Sequence, residues 1–194
     1  MRRDPPFLKN FIIRAAGEED VPAILDVLSR IESGRSSVNG FLNFPITGSY
    51  LSRHLSAITV AVKDSSVAGF AILDKPLVPD KQYSNIHVKQ LGVSPEFQRS
   101  KCATALYFHI SHGCKNMTAK VNVLPEPNAV SLKFHSNLGF ARNGIATCNG
   151  RESLILSAKS TAVRKAMVSP EPPIELVGRS RPTSAPGKAA ICLT

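Results

Sequence analysis

Between residues 86 and 123 the hydrophobic pattern changes period twice. Ile86 to Val93 is apolar enough for a strand, and Pro95 ends it. Cys102, Leu106 and Ile110 then recur every four residues, with Ala105 and Gly113 alongside, which predicts a helix with one buried face. Ala119, Val121 and Val123 alternate with Lys120 and Asn122, the period of a second strand. A strand–helix–strand unit requires a sheet with a helix packed on its face, so the fold class is α/β.

The flanking segments extend that unit. Phe11 to Ala15 reads as a first strand, and Asp20-Val21-Pro22 as a helix start, Asp capping free N–H groups and Pro fitting the first turn. Val21, Ile24, Leu25, Leu28 and Ile31 make one helical face, ended by Ser33-Gly34. Residues 34–56 read as a loop and then a short helix near Tyr50 to Leu55. Ile58, Val60 and Val62 alternate with polar or small residues, Asp64-Ser65-Ser66 turns, and Val67 to Leu73 returns, giving a hairpin. Asn128 to Leu138 reads as a helix stopped by Gly139, and residues 140–146 and 152–157 as a final hairpin around Cys148-Asn149-Gly150. The order is strand, helix, short helix, three strands, helix, strand, helix, two strands. Which strands pair is not readable from the pattern.

From Ser160 onward prolines and basic residues dominate and periodicity is lost, so residues 160–194 are expected to be a disordered basic tail. Residues 1–9 read as an N-terminal extension and 10–159 as a single domain. The formal charge of +10 admits nucleic acid, an anionic membrane surface or a phosphorylated cofactor as partner. There is no Trp and only 3 Tyr, which disfavours stacking on single-stranded nucleic acid. The four cysteines form no C-x-x-C pair and no zinc-ligand spacing, so they are expected to be reduced thiols in a cytoplasmic protein without a metal. No apolar run follows Arg2 and Arg3 as a leader would need, and none is long enough to span a bilayer.

The loop joining the strand at 86–93 to the helix at 102 carries Gln98, Arg99, Ser100 and Lys101 and no glycine. A helix N-terminus fed by a tight loop aims unpaired N–H groups and the positive end of the helix dipole at one point, which suits phosphate. A solvated surface turn on a basic protein gives the same pattern.

Two stretches in order, "LGVSPEFQRSKCATALYFHI" and "VNVLPEPNAVSLKFHSNLGF", resemble the GNAT family of N-acetyltransferases. Gln98-Arg99-Ser100-Lys101-Cys102-Ala103 stands where that family has its pyrophosphate loop, Gln/Arg-x-x-Gly-x-Gly/Ala, with Lys101 in place of its first glycine. Asn128, Gly139 and Phe140 match the later motif. The resemblance implies a GNAT-like mixed central sheet with flanking helices, and acetyl-CoA as donor. It implies that backbone groups of Leu91, Gly92 and Val93 line the pantetheine arm and acetyl carbonyl. Amides from Gln98 to Ala103 would hold the pyrophosphate, and Asn128 would bond the cofactor arm. His135 falls where the family often has a tyrosine that protonates the leaving thiolate, so it is the candidate general acid; the alternative is a packed helix histidine. No carboxylate base is visible, Lys89 and Gln90 standing where one is often found, with His87 close by.

The expected activity is acetyl transfer to a primary amine, small molecule, amino acid or peptide, by direct attack. A CoA-binding module without turnover and a nucleic-acid-associated protein are the rivals. Phe41, Leu42 and Phe44 are candidates for the acceptor groove, the commoner alternative being that they are core residues. No specific nucleic acid or membrane partner is expected, and the oligomeric state is unread.

Overall fold

The computed structural model describes residues 5–33, 46–123, 127–148 and 151–168. The elements run β1 (Ile12–Ala15), α1 (Val21–Ser33), α2 (Gly48–His54), β2 (Ile58–Lys63), β3 (Ser66–Leu73), β4 (Tyr83–Val93), α3 (Cys102–His112), β5 (Cys114–Asn122), α4 (Ala129–Asn137), β6 (Ala141–Cys148), β7 (Arg151–Lys159) and α5 (Ser160–Val168). The seven strands form one sheet in the order β1-β2-β3-β4-β5-β7-β6. All neighbours are antiparallel except β4 and β5, which are parallel and joined through α3.

On one face α1 buries Val21, Ile24, Val27, Leu28 and Ile31 with Leu51 of α2 against Val60, Phe70 and Ile72. Each fully buried side chain of this kind contributes about 1.5–3 kcal/mol. On the other face α3 packs Ala105 and Leu106 against Phe11, Ala61 and Ala68, and Tyr107 and Ile110 join Ile86, Met117 and Val163 in the largest cluster. The first expected strand, both hairpins, the short second helix and the central strand–helix–strand unit are all present. Phe41, Leu42 and Phe44 lie outside the described residues.

Two expectations need correction. Asp20 does not serve as a simple cap for α1. Its carboxylate accepts from the Arg14 guanidinium at 2.5 and 2.9 Å and from the Gly17 amide at 2.8 Å, tying a short 3-10 turn to β1. The Arg14 bonds hold its pKa below the usual carboxylate range. The second concerns residue 160, where the domain was expected to end. Ser160–Val168 is helical, with Val163 fully buried in the main core. Ser160 Oγ meets Cys114 Sγ at 3.3 Å, and Arg164 donates to the Ser111 carbonyl near the end of α3, where a cation also complements the helix dipole. Residues 169–194 lie outside the described residues.

The site is set by one irregularity. Along β3 and β4 the pairing jumps from Ile72↔Gln90 to Leu73↔Val88, so Lys89 is an extra residue, a bulge. The β4–β5 pairing also ends there, its last pair being Val88↔Ala119, although β5 stays bonded to β7 as far as Asn122. Beyond the bulge the two parallel strands part, and a cleft opens between them.

Candidate active site

The cleft has a volume of about 770 Å³, within the range of ligand pockets. Lys89 to Leu91 and Val93 form one wall, and Ala119 to Asn122 the other. The loop from β4 to α3 closes one end, and α4 supplies Asn128, Ser131, Phe134 and His135. Among the described residues its charged lining is all cationic: Arg30, Lys89, Arg99, Lys101 and Lys120.

The loop is built from alternating bonds. The Gln98 and Ser100 amides donate to the Pro95 and Phe97 carbonyls, and Ser100 Oγ donates to the Phe97 carbonyl as well. Arg99 and Lys101 both sit in the left-handed region, at φ 63° and 71°. That conformation costs a residue with a Cβ about 1–2 kcal/mol. The first backbone bond of α3 runs from the Ala105 amide to the Lys101 carbonyl, and no side chain caps the helix from Lys101. The Cys102, Ala103 and Thr104 amides therefore have no intrahelical partner and open toward the cleft those residues line.

Two titratable side chains meet at the cleft. Tyr107 of α3 and His135 of α4 are both buried, with the hydroxyl and Nε2 at 2.7 Å. His135 Nδ1 lies 2.7 Å from the Ser131 carbonyl, which can only accept, so the ring proton belongs on Nδ1. Burial holds the imidazole below its ordinary pKa and the phenol well above its own. The histidine is neutral at neutral pH, its Nε2 is an acceptor, and the Tyr107 hydroxyl donates to it. Phe134 and Phe140 pack edge-on against both rings.

Residues 26–140 match the Acetyltransferase (GNAT) family. The chain belongs to the GNAT family. Solved GNAT-type structures share its fold. The ribosomal-protein-S18-alanine N-acetyltransferase of Escherichia coli superposes with a TM-score of 0.56 at 18% identity, covering 77% of this chain and 93% of that one. The ribosomal-protein-alanine N-acetyltransferase of Brucella melitensis does so with a TM-score of 0.56 at 16% identity, covering 76% and 99%. The Salmonella typhimurium protein yncA, solved with its cofactor acetyl-CoA, gives a TM-score of 0.54 at 16% identity, covering 78% and 94%. No curated protein sequence matches the chain.

Of the residues expected at this GNAT site, Leu91, Val93, Gln98, Arg99, Lys101, Cys102, Ala103, Asn128 and His135 line the cleft. Gly92 and Ser100 do not. A Cβ on Gly92 would lie 2.5 Å from the Phe70 ring, so that glycine makes room for the core on the α1 face. Asn128 caps α4, its Oδ1 accepting from the Ser131 amide at 3.1 Å. His135 is brought to the cleft, with Nδ1 2.7 Å from the Ser131 carbonyl and Nε2 2.7 Å from the Tyr107 hydroxyl. His87 bonds Thr118 Oγ1 through Nδ1 at 3.0 Å, and burial and then Lys120 hold its pKa down. Sequence reasoning passed over Tyr107, Thr104 and Arg30. For Thr104 the signal was present, since it lies in the first turn of the expected helix; for Tyr107 and Arg30 no linear pattern marks them.

The chain's own groups suit an elongated anionic ligand such as CoA. Free amides at an 11-residue helix, cationic side chains beside them and a half-apolar cleft between parted strands match a phosphate end and an uncharged arm. Cys102 is excluded as an acetyl-carrying nucleophile. Burial pushes its thiol pKa up to about 12, and its Sγ packs toward Gly69 in the core.

Proposed function

We propose that this GNAT protein transfers an acetyl group from acetyl-CoA to a primary α-amine by direct attack. The supporting observation is the cleft where β4 and β5 part, closed at one end by the free amides of α3 and the cations Arg99 and Lys101. Acetyl-CoA supplies an activated acetyl thioester. The Cys102, Ala103 and Thr104 amides with Arg99 and Lys101 hold the phosphates, while backbone groups of Leu91 and Val93 orient the arm. Placement and fixed dipoles carry the rate enhancement.

The all-cationic lining bears on the acceptor. It disfavours ammonium groups, so the amine best suited is one that gives up its proton most readily near pH 7. An α-amino group, with a pKa of about 7.7–8.0, loses its proton far more readily than a lysine side chain at about 10.4. Two structural neighbours are alanine N-acetyltransferases of ribosomal proteins, which favours a peptide or protein N-terminus among the possible amines.

A CoA-binding protein without turnover is the second reading. It is favoured by Lys101, a long side chain in a left-handed position where the family has glycine. One assay separates the two. The protein is incubated with acetyl-CoA and, in turn, an alanine-initiated peptide, an N-blocked lysine peptide and spermidine, and released thiol is followed. Acetylation of the first above the other two supports the proposal. Saturable acetyl-CoA binding with no thiol release from any of them supports the second reading.

A further inference from the structure

A ligand with phosphates at one end and an uncharged arm brings all its charge to one end of the cleft. The start of α3 marks that end. Cys102 Sγ lies 2.9 Å from where a Cβ on Gly69 would stand, and Gly69 pairs with Val93, the last residue of β4. Arg99 and Lys101 belong to the same end. Arg30 shares its charge with Asp26 at 2.7 Å and Glu96 at 3.1 Å. Two cations of the lining remain, Lys89 and Lys120, and the phosphates do not account for them.

Both stand where the strands begin to part. Val88↔Ala119 is the last β4–β5 pair, and Lys89 and Lys120 are the next residue on each strand. From Val93 back to Lys89 the strand covers about 13 Å, at roughly 3.3 Å per residue. Met117, Ala119 and Val121 are buried in the main core, so by alternation Lys120 shares the opposite face with Thr118, which His87 bonds at 3.0 Å. Lys120 is exposed there. Burial chiefly, then the charge of Lys120 and to a smaller extent that of Lys89, hold the His87 imidazole below its ordinary pKa, with Asp74 opposing. Both ammonium groups are therefore close enough to one point of the sheet to act on it together. The Asp74 carboxylate is engaged elsewhere, accepting from the His87 amide at 2.9 Å and pairing with Lys75 at 3.2 Å. Among the described residues no carboxylate lines the cleft beside the two lysines.

Building on the acetyl-transfer reading, we propose that Lys89 and Lys120 select the acceptor, a peptide whose N-terminal residue is followed by an acidic side chain. A ligand held by its phosphates at the α3 end leaves its uncharged arm for the rest of the cleft, whose far end these lysines flank. The acceptor amine must reach that end, and the group attached next to it comes within their field. A carboxylate there meets positive charge, whereas an ammonium in the same place is disfavoured.

The test is peptide binding to the CoA-saturated protein, which needs no turnover and keeps Arg99 and Lys101 occupied. Two peptides are titrated calorimetrically, one beginning Ala-Glu and the other Ala-Gln, otherwise identical. The Ala-Glu peptide should bind about tenfold more tightly at low salt, and the preference should shrink as salt rises. Lys120→Glu should abolish the preference, and Lys89→Gln should reduce it to about threefold. Lys115→Glu changes the net charge equally from an exposed position on β5 outside the cleft lining, and should leave the preference intact. Equal affinities in the wild type, binding of neither peptide, a preference that survives Lys120→Glu, or one lost equally in Lys115→Glu would overturn the proposal. Failure of CoA to saturate the protein would overturn the acetyl-transfer reading and the proposal with it, whereas the preceding outcomes overturn the proposal alone.

Discussion

The two sides of β4 behave oppositely. Toward β3 the strand is paired up to its last residue, Val93 opposite Gly69, and the join is sealed by apolar side chains under α1. Toward β5 the pairing stops at Val88, and polar and cationic groups line the gap. One inserted residue, Lys89, marks the point where the two regimes separate. The same strand therefore serves as core on one edge and as cleft wall on the other. Stability and function should accordingly respond to different residues, and substitutions can test that division.

The largest effect is expected in the sealed half. Ile24→Ala removes a fully buried side chain from the α1 face and should cost about 2–5 kcal/mol in urea unfolding. Folded protein should bind CoA as before; a parallel loss of affinity would show that the two sides are not separate. Gly92→Ala comes next. Its Cβ would press on the Phe70 ring, so about 1–3 kcal/mol of stability should go. This variant sharpens the comparison, because Gly92 lies on the strand that walls the cleft yet serves the core.

On the open side, Arg99→Glu with Lys101→Glu should weaken CoA binding about 30-fold and flatten its salt dependence, while the urea midpoint hardly moves. A large stability change without an affinity change would reverse the assignment. The smallest effect belongs to Asp20, far from the cleft. Its folded-state pKa is depressed by Arg14, so the stability it contributes is present above the unfolded carboxylate value of about 3.9 and is lost as pH falls through the lower folded value. Asp20→Asn should remove that acid-side loss and cost less than about 1 kcal/mol at neutral pH, Arg14 being 41% exposed. An unchanged acid limb would mean that the pair does not couple to folding.

Much of the element order was legible because each strand and most helices bury one face, leaving a period of two or about four in the sequence. α5 was not, because its burial rests on Val163 and Ser160 and its anchoring on Arg164, too few apolar positions to make a stripe. Asp20 had the right residue type for a cap, yet its partner is an arginine on the preceding strand. The loop at 98–103 was legible as a candidate phosphate site, but not the left-handed φ of Arg99 and Lys101, since neither is the glycine that usually signals it. The β4–β5 parting and the Tyr107–His135 bond depend on contacts between separate elements, which local periodicity does not encode.

The central claim is that the gap between β4 and β5 holds CoA. Amide hydrogen exchange with and without CoA tests it most directly. Exchange should slow at Leu91 and Val93 and at Cys102 to Thr104, with the β2–β3 hairpin unchanged. Binding that leaves those amides unprotected, or protects the β2–β3 side instead, would contradict it.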